Sequence, residues 1–261
     1  WSRGLGDVYK RQGEAHCHPL NYALGIAQAA LSAGAKIYEN TAASGYKVLD
    51  DHVKVITKNG SVKADRIVLA CNGYLGNLEK SLTSKILPMN NYIVATKPLS
   101  DEVVKKINPR DIAFADSRFV INYFRMSADK RLLFGGGENY SQELSKNIVP
   151  IVTKPLEKIY PFLKGVKIDY AWGGKLAITL NRLPFFTTLK NDRVISAQGY
   201  SGQGVALASY SGKIISEKIL GSGETFDLMA KIPRQSFPGG RFLRNPSMKI
   251  GMLYYSLLDR I

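Results

Sequence analysis

A cluster of glycines precedes an apolar helical pattern near the end of the chain, in "QGYSGQGVALASYSGKIISEKILGSG", residues 198–223. Gly199, Gly202 and Gly204 follow the strand-like run "VISA" within six residues. The first amides of a helix lack internal acceptors, and glycine lets another molecule approach the backbone closely. The pattern indicates a main-chain site for an anion or an electron-rich oxygen. The alternative is a tight strand-to-helix turn whose glycines only ease packing.

The loop does not match the common phosphate-binding motifs. It lacks the Gly-Lys-Ser/Thr ending of a P-loop, and it is not a full GxGxxG. Alone, it therefore does not identify a ligand.

Three further residues are candidates for contacting a substrate: Tyr123, Arg125 and Trp172. An arginine can clamp a carboxylate with two hydrogen bonds, and aromatic rings can wall an amine-bearing chain. Alternatively, Tyr123 alternates into a sheet core and Arg125 forms a surface pair, while Trp172 packs against a cofactor or a core. The "FGGG" at 134–137 allows a close backbone approach or ends a strand.

Composition restricts the class of protein. The 261 residues carry a net charge of +15, but the lysines are scattered, and no nucleic-acid recognition motif is present. We therefore expect no nucleic-acid partner; an acidic partner segment is a second explanation of the charge. No apolar run of membrane-spanning length occurs, so we expect no membrane partner. Two cysteines, Cys17 and Cys71, favour a reducing, cytoplasmic setting.

The "HCH" at residues 16–18 could suggest a metal site. With only His52 and Cys71 as further soft ligands and no CxxC pair, we expect no metal. We expect these residues to lead into a helix, since Pro19 suits a first helical position and Gly34 a left-handed helix end.

Strand signals follow that helix. "AKIYENT" at 35–41 is strand-like, and three β-like runs continue to residue 71, with Asn59-Gly60 as a hairpin turn. The unbroken apolar run Ile67–Ala70 predicts a strand buried on both faces. Beyond Leu87, alternating runs predict an antiparallel sheet, and residues 141–165 a helix interrupted at Pro150 and Pro155.

The chain is therefore expected to be divided. Residues 13–86 and 185–261 form one discontinuous domain, and residues 87–184 a second domain threaded between its strands. Residues 1–12, "WSRGLGDVYKRQ", have neither helical nor strand period and read as a non-native junction, so we expect a fragment.

Six segments in order carry a resemblance. They are "GEAHCHPLNYALGIAQAALSAGAKIYENT", "ADRIVLACNGYLGNLE", "FADSRFVINYFRMSADKRLLFGGG", "YAWGGKLAITLNRLPFF", "AQGYSGQGVALASYSGKIISE" and "FPGGRFLRNPSMKIGMLYYSLLD". From about residue 13 to its end, the chain resembles the flavin-dependent D-amino-acid oxidase superfamily, and more closely its γ-glutamylputrescine oxidase-like branch.

The resemblance implies a fold class and a cofactor. The fold would be α/β with an α+β insert: an incomplete FAD-binding Rossmann-like domain plus a mostly antiparallel substrate domain. Amides of Gly202, Gln203 and Gly204 would stabilise negative charge on reduced flavin. Gly73 would lie near the phosphates of FAD and Val48 near its adenine. The implied cofactor-binding residues are Val48, Gly73, Gly199, Tyr200, Ser201, Gly202, Gln203, Gly204 and Val205.

The chain also departs from the family pattern. Gln203 stands where the family often has His. The opening strand–GxGxxG–helix, which binds the ADP half of the cofactor, is absent, so we expect weak FAD binding. Some relatives attach flavin covalently through a Cys near "KLAITLNRLPFF", where this chain has none, so FAD would be non-covalent.

The implied reaction is oxidation of an amine C–N bond with O2 reduced to hydrogen peroxide, and it needs no dedicated catalytic side chain. The substrate would be a γ-glutamylputrescine-like amine. Two alternatives stay open: a glycine- or sarcosine-type oxidase or dehydrogenase, and a basic binding protein without catalysis. The oligomeric state is not indicated.

Overall fold

The computed structural model describes residues 16–118, 121–136 and 143–240, together with Leu243, Pro246, Ile250 and Gly251. The predicted junction at 1–12 and Gly137 of the "FGGG" run lie outside the described residues. The described chain forms two compact units. We name the unit that contains Met89–Lys175 the insert unit, and the unit formed by Cys17–Pro88 and Leu176–Arg244 the glycine-loop unit.

Six α-helices are described over their whole length, and Gly240, Leu243, Pro246, Ile250 and Gly251 are also helical. The six are α1 (Pro19–Ser32), α2 (Lys80–Thr83), α3 (Asp101–Ile107), α4 (Val149–Ile159), α5 (Gly204–Ile219) and α6 (Glu224–Ala230). Two short 3-10 helices cover Asn72–Tyr74 and Pro161–Leu163. Among the described residues no helix is both long and apolar enough to cross a lipid bilayer.

Eleven β-strands occur in the same residues. They are β1 (Ala43–Val48), β2 (Val53–Thr57), β3 (Gly60–Ala64), β4 (Ile67–Leu69), β5 (Leu87–Thr96), β6 (Phe114–Ala115), β7 (Tyr123–Met126), β8 (Leu132–Gly135), β9 (Ile168–Ile178), β10 (Phe185–Leu189) and β11 (Val194–Gln198).

The glycine-loop unit contains two three-stranded sheets. One is the antiparallel meander β1-β2-β3, whose second turn places Thr57 opposite Gly60 at the predicted hairpin. The other has the order β10-β11-β4, with β11 antiparallel to β10 and parallel to β4. All five residues of β11 are buried. Ile195 packs on one face with Ile214 of α5, whereas Val194 packs on the other face with Leu69.

The insert unit is a five-stranded sheet of order β6-β7-β8-β5-β9. Strands β6, β7, β8 and β5 are antiparallel to their neighbours in that order, as the alternating pattern predicts. Phe124 stacks between Phe114 and Phe134 at ring-centre distances of 5.1 and 5.4 Å. Helix α4 covers this aromatic core through fully buried Val152 and Leu156.

Several local expectations are confirmed. Helix α1 begins at Pro19, with His18 as its N-cap: the His18 Nδ1 accepts a hydrogen bond from the Asn21 amide at 3.3 Å. Gly34 after its end has a left-handed φ of +90°. Helix α5 begins at Gly204, as the glycine pattern predicts.

Three local expectations are wrong, the third only in part. Residues 35–41 form no strand, and no other strand pairs with them in the described chain. Pro155 lies inside α4 without ending it, because burial of Val152 and Leu156 outweighs the lost hydrogen bond. Helical spacing predicts that Ala208, Gly212, Ile215 and Ile219 line one face of α5; Ile215 is buried, together with Ser211 and Ile214, but Ala208, Gly212 and Ile219 are exposed.

Candidate functional site

The predicted glycine loop connects β11 to α5 and has an unusual backbone. Gly199, Ser201 and Gly202 all have left-handed φ angles, of +80°, +50° and +97°. Such angles are natural for glycine and uncommon for other residues. The turn is therefore tight, and it brings the start of α5 close to the end of β11.

Hydrogen bonds hold this loop to two other chain segments. The Gly199 amide donates to the Asn72 Oδ1 at 3.1 Å, and Asn72 begins the 3-10 helix that follows β4. The Ser201 amide donates to the Ala177 carbonyl at 2.9 Å, at the end of β9. A Cβ on Gly199 would lie 2.4 Å from the Thr179 Cγ2. The loop is thus fixed in position, and position 199 admits no side chain without a shift of Thr179.

The main-chain donors at the start of α5 form the candidate ligand site. The Gln203 amide donates to the Tyr200 carbonyl at 3.0 Å and is therefore not available to a ligand. In the described chain, the amides of Gly202, Gly204 and Val205 have no acceptor. Gly202 and Val205 are exposed, and a Cβ at Gly202 would meet no atom within 4 Å. These donors, at the positive end of a 16-residue helix, can bind an anion or an electron-rich oxygen.

Tyr200 supports the loop from inside. Its side chain is buried, and its hydroxyl donates to the Ala197 carbonyl at 3.1 Å. Burial raises the pKa of this phenol, so it remains neutral at physiological pH. Tyr200 is therefore an anchor of the loop, and its ring is not open to a ligand.

Gly73 and Val48, the other predicted cofactor contacts, lie in the same unit. Gly73 is buried in the 3-10 helix that begins at Asn72, and so it sits beside the residue that holds Gly199. Because β4 and β11 are parallel, their carboxyl ends lie side by side, and the glycine loop and the 3-10 helix both begin there. Val48 is half-buried at the end of β1 and packs against the core that contains Leu69. Asn72 was not anticipated as a loop anchor.

In the insert unit, Tyr123 and Arg125 share one face of the sheet. They alternate with Phe124 and Met126, which face the aromatic core. The Tyr123 hydroxyl donates to the Asn91 Oδ1. Arg125 is half-buried, and the described chain offers it no hydrogen bond or ion pair. A half-buried, unpaired guanidinium can bind a carboxylate bidentately.

Glycine 135 makes room for the Tyr123 ring. The two residues are directly opposite on β8 and β7, and a Cβ on Gly135 would lie 2.2 Å from that ring. The close-approach interpretation of the "FGGG" run therefore holds for Gly135. Trp172, by contrast, is 44% exposed on β9 and is not part of the insert core.

Other features of the described residues offer no competing site. No group of three or more His, Cys, Asp or Glu there could hold a metal ion. An open cleft of about 350 Å³ is lined by Asp65, Arg66, Asn191, Asp192 and Arg193. These residues precede β4 and β11, so the cleft lies at the opposite ends of those strands from the glycine loop.

Residues 3–218 match the family model described as DAO, FAD dependent oxidoreductase. The chain belongs to this family.

Individual relatives agree with this membership. The chain is 38% identical over 247 residues to the γ-glutamylputrescine oxidoreductase of Escherichia coli K12, covering 94% of this chain and 58% of that protein. It is 39% identical over 248 residues to a probable oxidoreductase OrdL of Rhizobium meliloti, covering 95% and 57%. The chain thus spans less than three-fifths of the length of these relatives.

Solved structures share the fold. Glycine oxidase from Geobacillus kaustophilus superposes with a TM-score of 0.66 at 20% identity, over 82% of this chain and 57% of that one. L-proline dehydrogenase from P. horikoshii gives a TM-score of 0.64 at 21% identity. At these identities the likeness concerns the fold: mixed α/β with antiparallel sheets, as the sequence predicts.

The family's cofactor can be tested against the donors present. Flavin acquires negative charge at one end of its ring system on reduction, and the unpaired amides of Gly202, Gly204 and Val205 are the donor type that stabilises such charge. A Cβ built on Gly202 meets no atom within 4 Å, so no neighbouring atom blocks the approach of a ligand to this backbone position. In donor type, the described residues match what the ring end of FAD requires.

Proposed function

We propose that this protein is an FAD-dependent oxidoreductase that oxidises a C–N bond of an amine that also carries a carboxylate, of the γ-glutamylputrescine type. The observation that carries the proposal is the set of unpaired amides on the glycine loop. Family membership and 38% identity to a γ-glutamylputrescine oxidoreductase support the reaction class.

The glycine loop would hold the pyrimidine end of FAD. Gly202, Gly204 and Val205 would donate main-chain hydrogen bonds to it, and the dipole of α5 would favour negative charge there. Because Asn72, Ala177 and Tyr200 already fix the loop, these donors need little reorganisation when charge develops. Gly73 and Val48 would contact the phosphate and adenine portions.

The insert sheet would bind the substrate. Arg125 would pair with the carboxylate of the glutamyl group, and Tyr123, held by Asn91, would line the site beside it. γ-Glutamylputrescine has such a carboxylate and a terminal primary amine, so it offers both groups. Trp172 is exposed and would provide an aromatic wall for the aliphatic chain.

The reaction would remove two electrons from the C–N bond. The neutral amine would lose hydride from its α-carbon and a proton from nitrogen, and the resulting imine would be hydrolysed to an aldehyde and ammonia. FAD, when bound, accepts that hydride and passes the electrons to O2, which becomes hydrogen peroxide. The protein's part is to position the amine and to stabilise charge through main-chain donors.

A second substrate class has specific support. Glycine oxidase of Bacillus subtilis is 24% identical over 223 residues, and the sarcosine oxidase β subunit of Rhodobacter capsulatus is 25% identical over 244 residues. A small amino acid would also supply a carboxylate for Arg125. Direct comparison of the two substrate classes separates these possibilities.

Binding of FAD would be non-covalent, because the two cysteines, Cys17 and Cys71, both lie outside the segment used for attachment in some relatives. Both are free thiols, which suits the cytoplasm. The ADP half would need a strand–GxGxxG–helix element that this sequence does not contain.

Anaerobic flavin reduction tests the proposed function. The chain, alone and fused to the unmatched part of the E. coli relative, is mixed with FAD and then with γ-glutamylputrescine, glycine or sarcosine. We expect bleaching of the visible flavin band by γ-glutamylputrescine, and peroxide after O2 is admitted. Bleaching by glycine or sarcosine alone would favour the second substrate class. FAD binding without reduction by any amine would refute an amine oxidase.

A further inference from the structure

Three lysines stand side by side on the meander β1-β2-β3. Lys47 of β1 is directly opposite Lys54 of β2, and Lys54 is directly opposite Lys63 of β3. Residues at directly opposite positions project from the same face of a sheet, and neighbouring strands are about 4.8 Å apart. All three lysines are exposed. The lysines of this chain are scattered in sequence, but the fold aligns these three, which we call the lysine row.

The other face of the meander packs against the core. Tyr46 and Val48 of β1 both contact the core that contains Leu69, and Val53 of β2 is fully buried. Side chains alternate between the two faces along a strand. The lysine row therefore lies on the outer face of the meander, where a partner can reach it.

Little negative charge lies beside the lysine row. Within the described chain, Lys63 pairs with exposed Asp51 at an Nζ–Oδ2 distance of 3.4 Å, whereas Lys47 and Lys54 form no ion pair. The next positions along the same face carry no charge: Gly45, Ile56 and Ser61. Like charges directly opposite one another destabilise a sheet. The row is therefore unfavourable in the chain on its own, and it is complementary to a partner that carries several negative charges.

The spacing of the row favours one kind of anionic partner. Side chains three and four residues apart on a helix lie about 5–6 Å from each other, which is close to the distance between neighbouring strands. A helix with acidic residues at this spacing, lying across the three strands, would place one carboxylate at each lysine. Proteins that bind duplex DNA through its backbone engage about six to ten phosphates, which is more than three lysines can neutralise.

We infer that the lysine row is a docking site for an acidic helix of a partner protein. The helix lies across β1, β2 and β3, with its carboxylates against Lys47, Lys54 and Lys63. Because exposed ion pairs are individually weak and are screened by salt, the complex is weak and depends on ionic strength. The inference goes beyond the proposed function: it needs neither flavin nor the amides of the glycine loop, so the two can fail separately.

The probe is a fluorescein-labelled, alanine-rich helical peptide with glutamates at positions i, i+4 and i+7, added to the whole chain without FAD. Its control is a peptide of the same composition whose three glutamates are spread around the helix. By fluorescence anisotropy at low ionic strength, we expect the aligned peptide to bind at least about threefold more tightly than the spread peptide. The affinity should fall as salt is added.

Variants of the chain locate the binding site. Lys54→Gln removes the central charge of the row and should weaken binding of the aligned peptide by about threefold or more. Lys58→Gln is the matched control, because Lys58 is an exposed lysine that follows β2 and lies outside the row. Urea unfolding separates binding from folding. Since Lys54→Gln relieves repulsion between opposite lysines, this variant should be at least as stable as wild type.

Four outcomes would overturn the inference. One is equal affinity of the aligned and the spread peptides. Another is equal weakening by Lys54→Gln and Lys58→Gln. The third is a DNA duplex that binds more tightly than the aligned peptide and loses affinity in Lys54→Gln, which would identify a nucleic acid as the occupant. The fourth is a dimer of this chain that Lys54→Gln dissociates, which would identify a second copy.

Discussion

Asn72 and Gly199 join the carboxyl ends of two parallel strands, β4 and β11, through a side-chain-to-amide hydrogen bond of 3.1 Å. Asn72 itself has a left-handed φ of +47°, which asparagine tolerates better than most residues. The pair therefore links the 3-10 helix containing Gly73 to the loop that presents the amides of Gly202 and Gly204.

Removing the Asn72 acceptor should destabilise the protein. Asn72→Gly keeps the left-handed backbone but leaves the Gly199 amide unpaired, at an expected cost of about 1–2 kcal/mol in the free energy of unfolding. Asn72→Asp keeps an acceptor and should cost less. Asn40→Gly is the control, since Asn40 is also left-handed but lies in an exposed turn. Equal costs for Asn72→Gly and Asn40→Gly in urea unfolding would contradict the anchoring role.

Gly199→Ala should be more harmful than Gly202→Ala. Both positions have positive φ, so each alanine is strained by about 1–2 kcal/mol. Only position 199 adds a clash, 2.4 Å from the Thr179 Cγ2, which should cost about 1–3 kcal/mol more. Thr179→Ser removes that methyl group but keeps the hydroxyl, and it should partly rescue Gly199→Ala. A double-mutant cycle in urea measures the coupling; zero coupling would contradict the expected clash between a Cβ at position 199 and the Thr179 methyl group.

Arg125 variants should separate carboxylate binding from chemistry. Arg125→Met should raise KM for γ-glutamylputrescine by about ten- to a hundredfold, as expected for loss of a hydrogen-bonded charge pair. KM for putrescine, which has no carboxylate, should change little. Arg110→Met replaces an exposed arginine and serves as the control. A parallel rise in KM for both amines would argue against a carboxylate contact.

Acid should destabilise the insert unit by protonating Asp169 and so breaking its ion pair with Arg131. Its Nη1 donates to the Asp169 Oδ2 at 2.6 Å, and this hydrogen bond lowers the pKa of the Asp169 carboxyl. A carboxyl whose pKa is lower in the folded state stabilises the fold above its unfolded pKa, and the contribution is lost as pH falls through the folded value. The thermal midpoint should therefore fall more steeply for wild type than for Asp169→Asn below about pH 4. Identical pH profiles would exclude this pairing as a source of stability.

The ends of helices could be predicted where residues next to them in the sequence mark those ends. Pro19 and Gly34 mark the two ends of α1, and the glycines before residue 204 mark the start of α5. Residues 35–41 could not be predicted correctly, because a strand requires a neighbouring strand that composition does not reveal. The buried side of α5 was predicted only in part: Ile215 is buried, but the contact of Ile214 with Ile195 depends on where β11 lies.

The candidate site was only partly predictable. Tyr123 and Arg125 were chosen for their side-chain chemistry, and the structure places both on the face of β7 opposite the aromatic core. The interaction of Tyr123 with Asn91 joins residues 32 apart in sequence, so it could not be predicted locally. Asn72 and Gly199 are 127 residues apart, and nothing local to either indicates the hydrogen bond. The Gln203 amide was expected to face a ligand and instead closes a turn with Tyr200. Backbone hydrogen bonding inside a loop depends on φ and ψ, which residue type alone does not determine.

The most direct measurement is an NMR titration of the 15N-labelled chain with FAD, which detects weak binding. The account predicts the largest amide shift changes at Gly202, Gly204 and Val205. It predicts unchanged affinity for Val205→Ala, which keeps the amide. Val205→Pro, which removes that donor in a helical turn where proline is tolerated, should bind about tenfold more weakly. Shift changes confined to the cleft beside Arg66 and Arg193, or equal affinity of Val205→Pro and Val205→Ala, would contradict it.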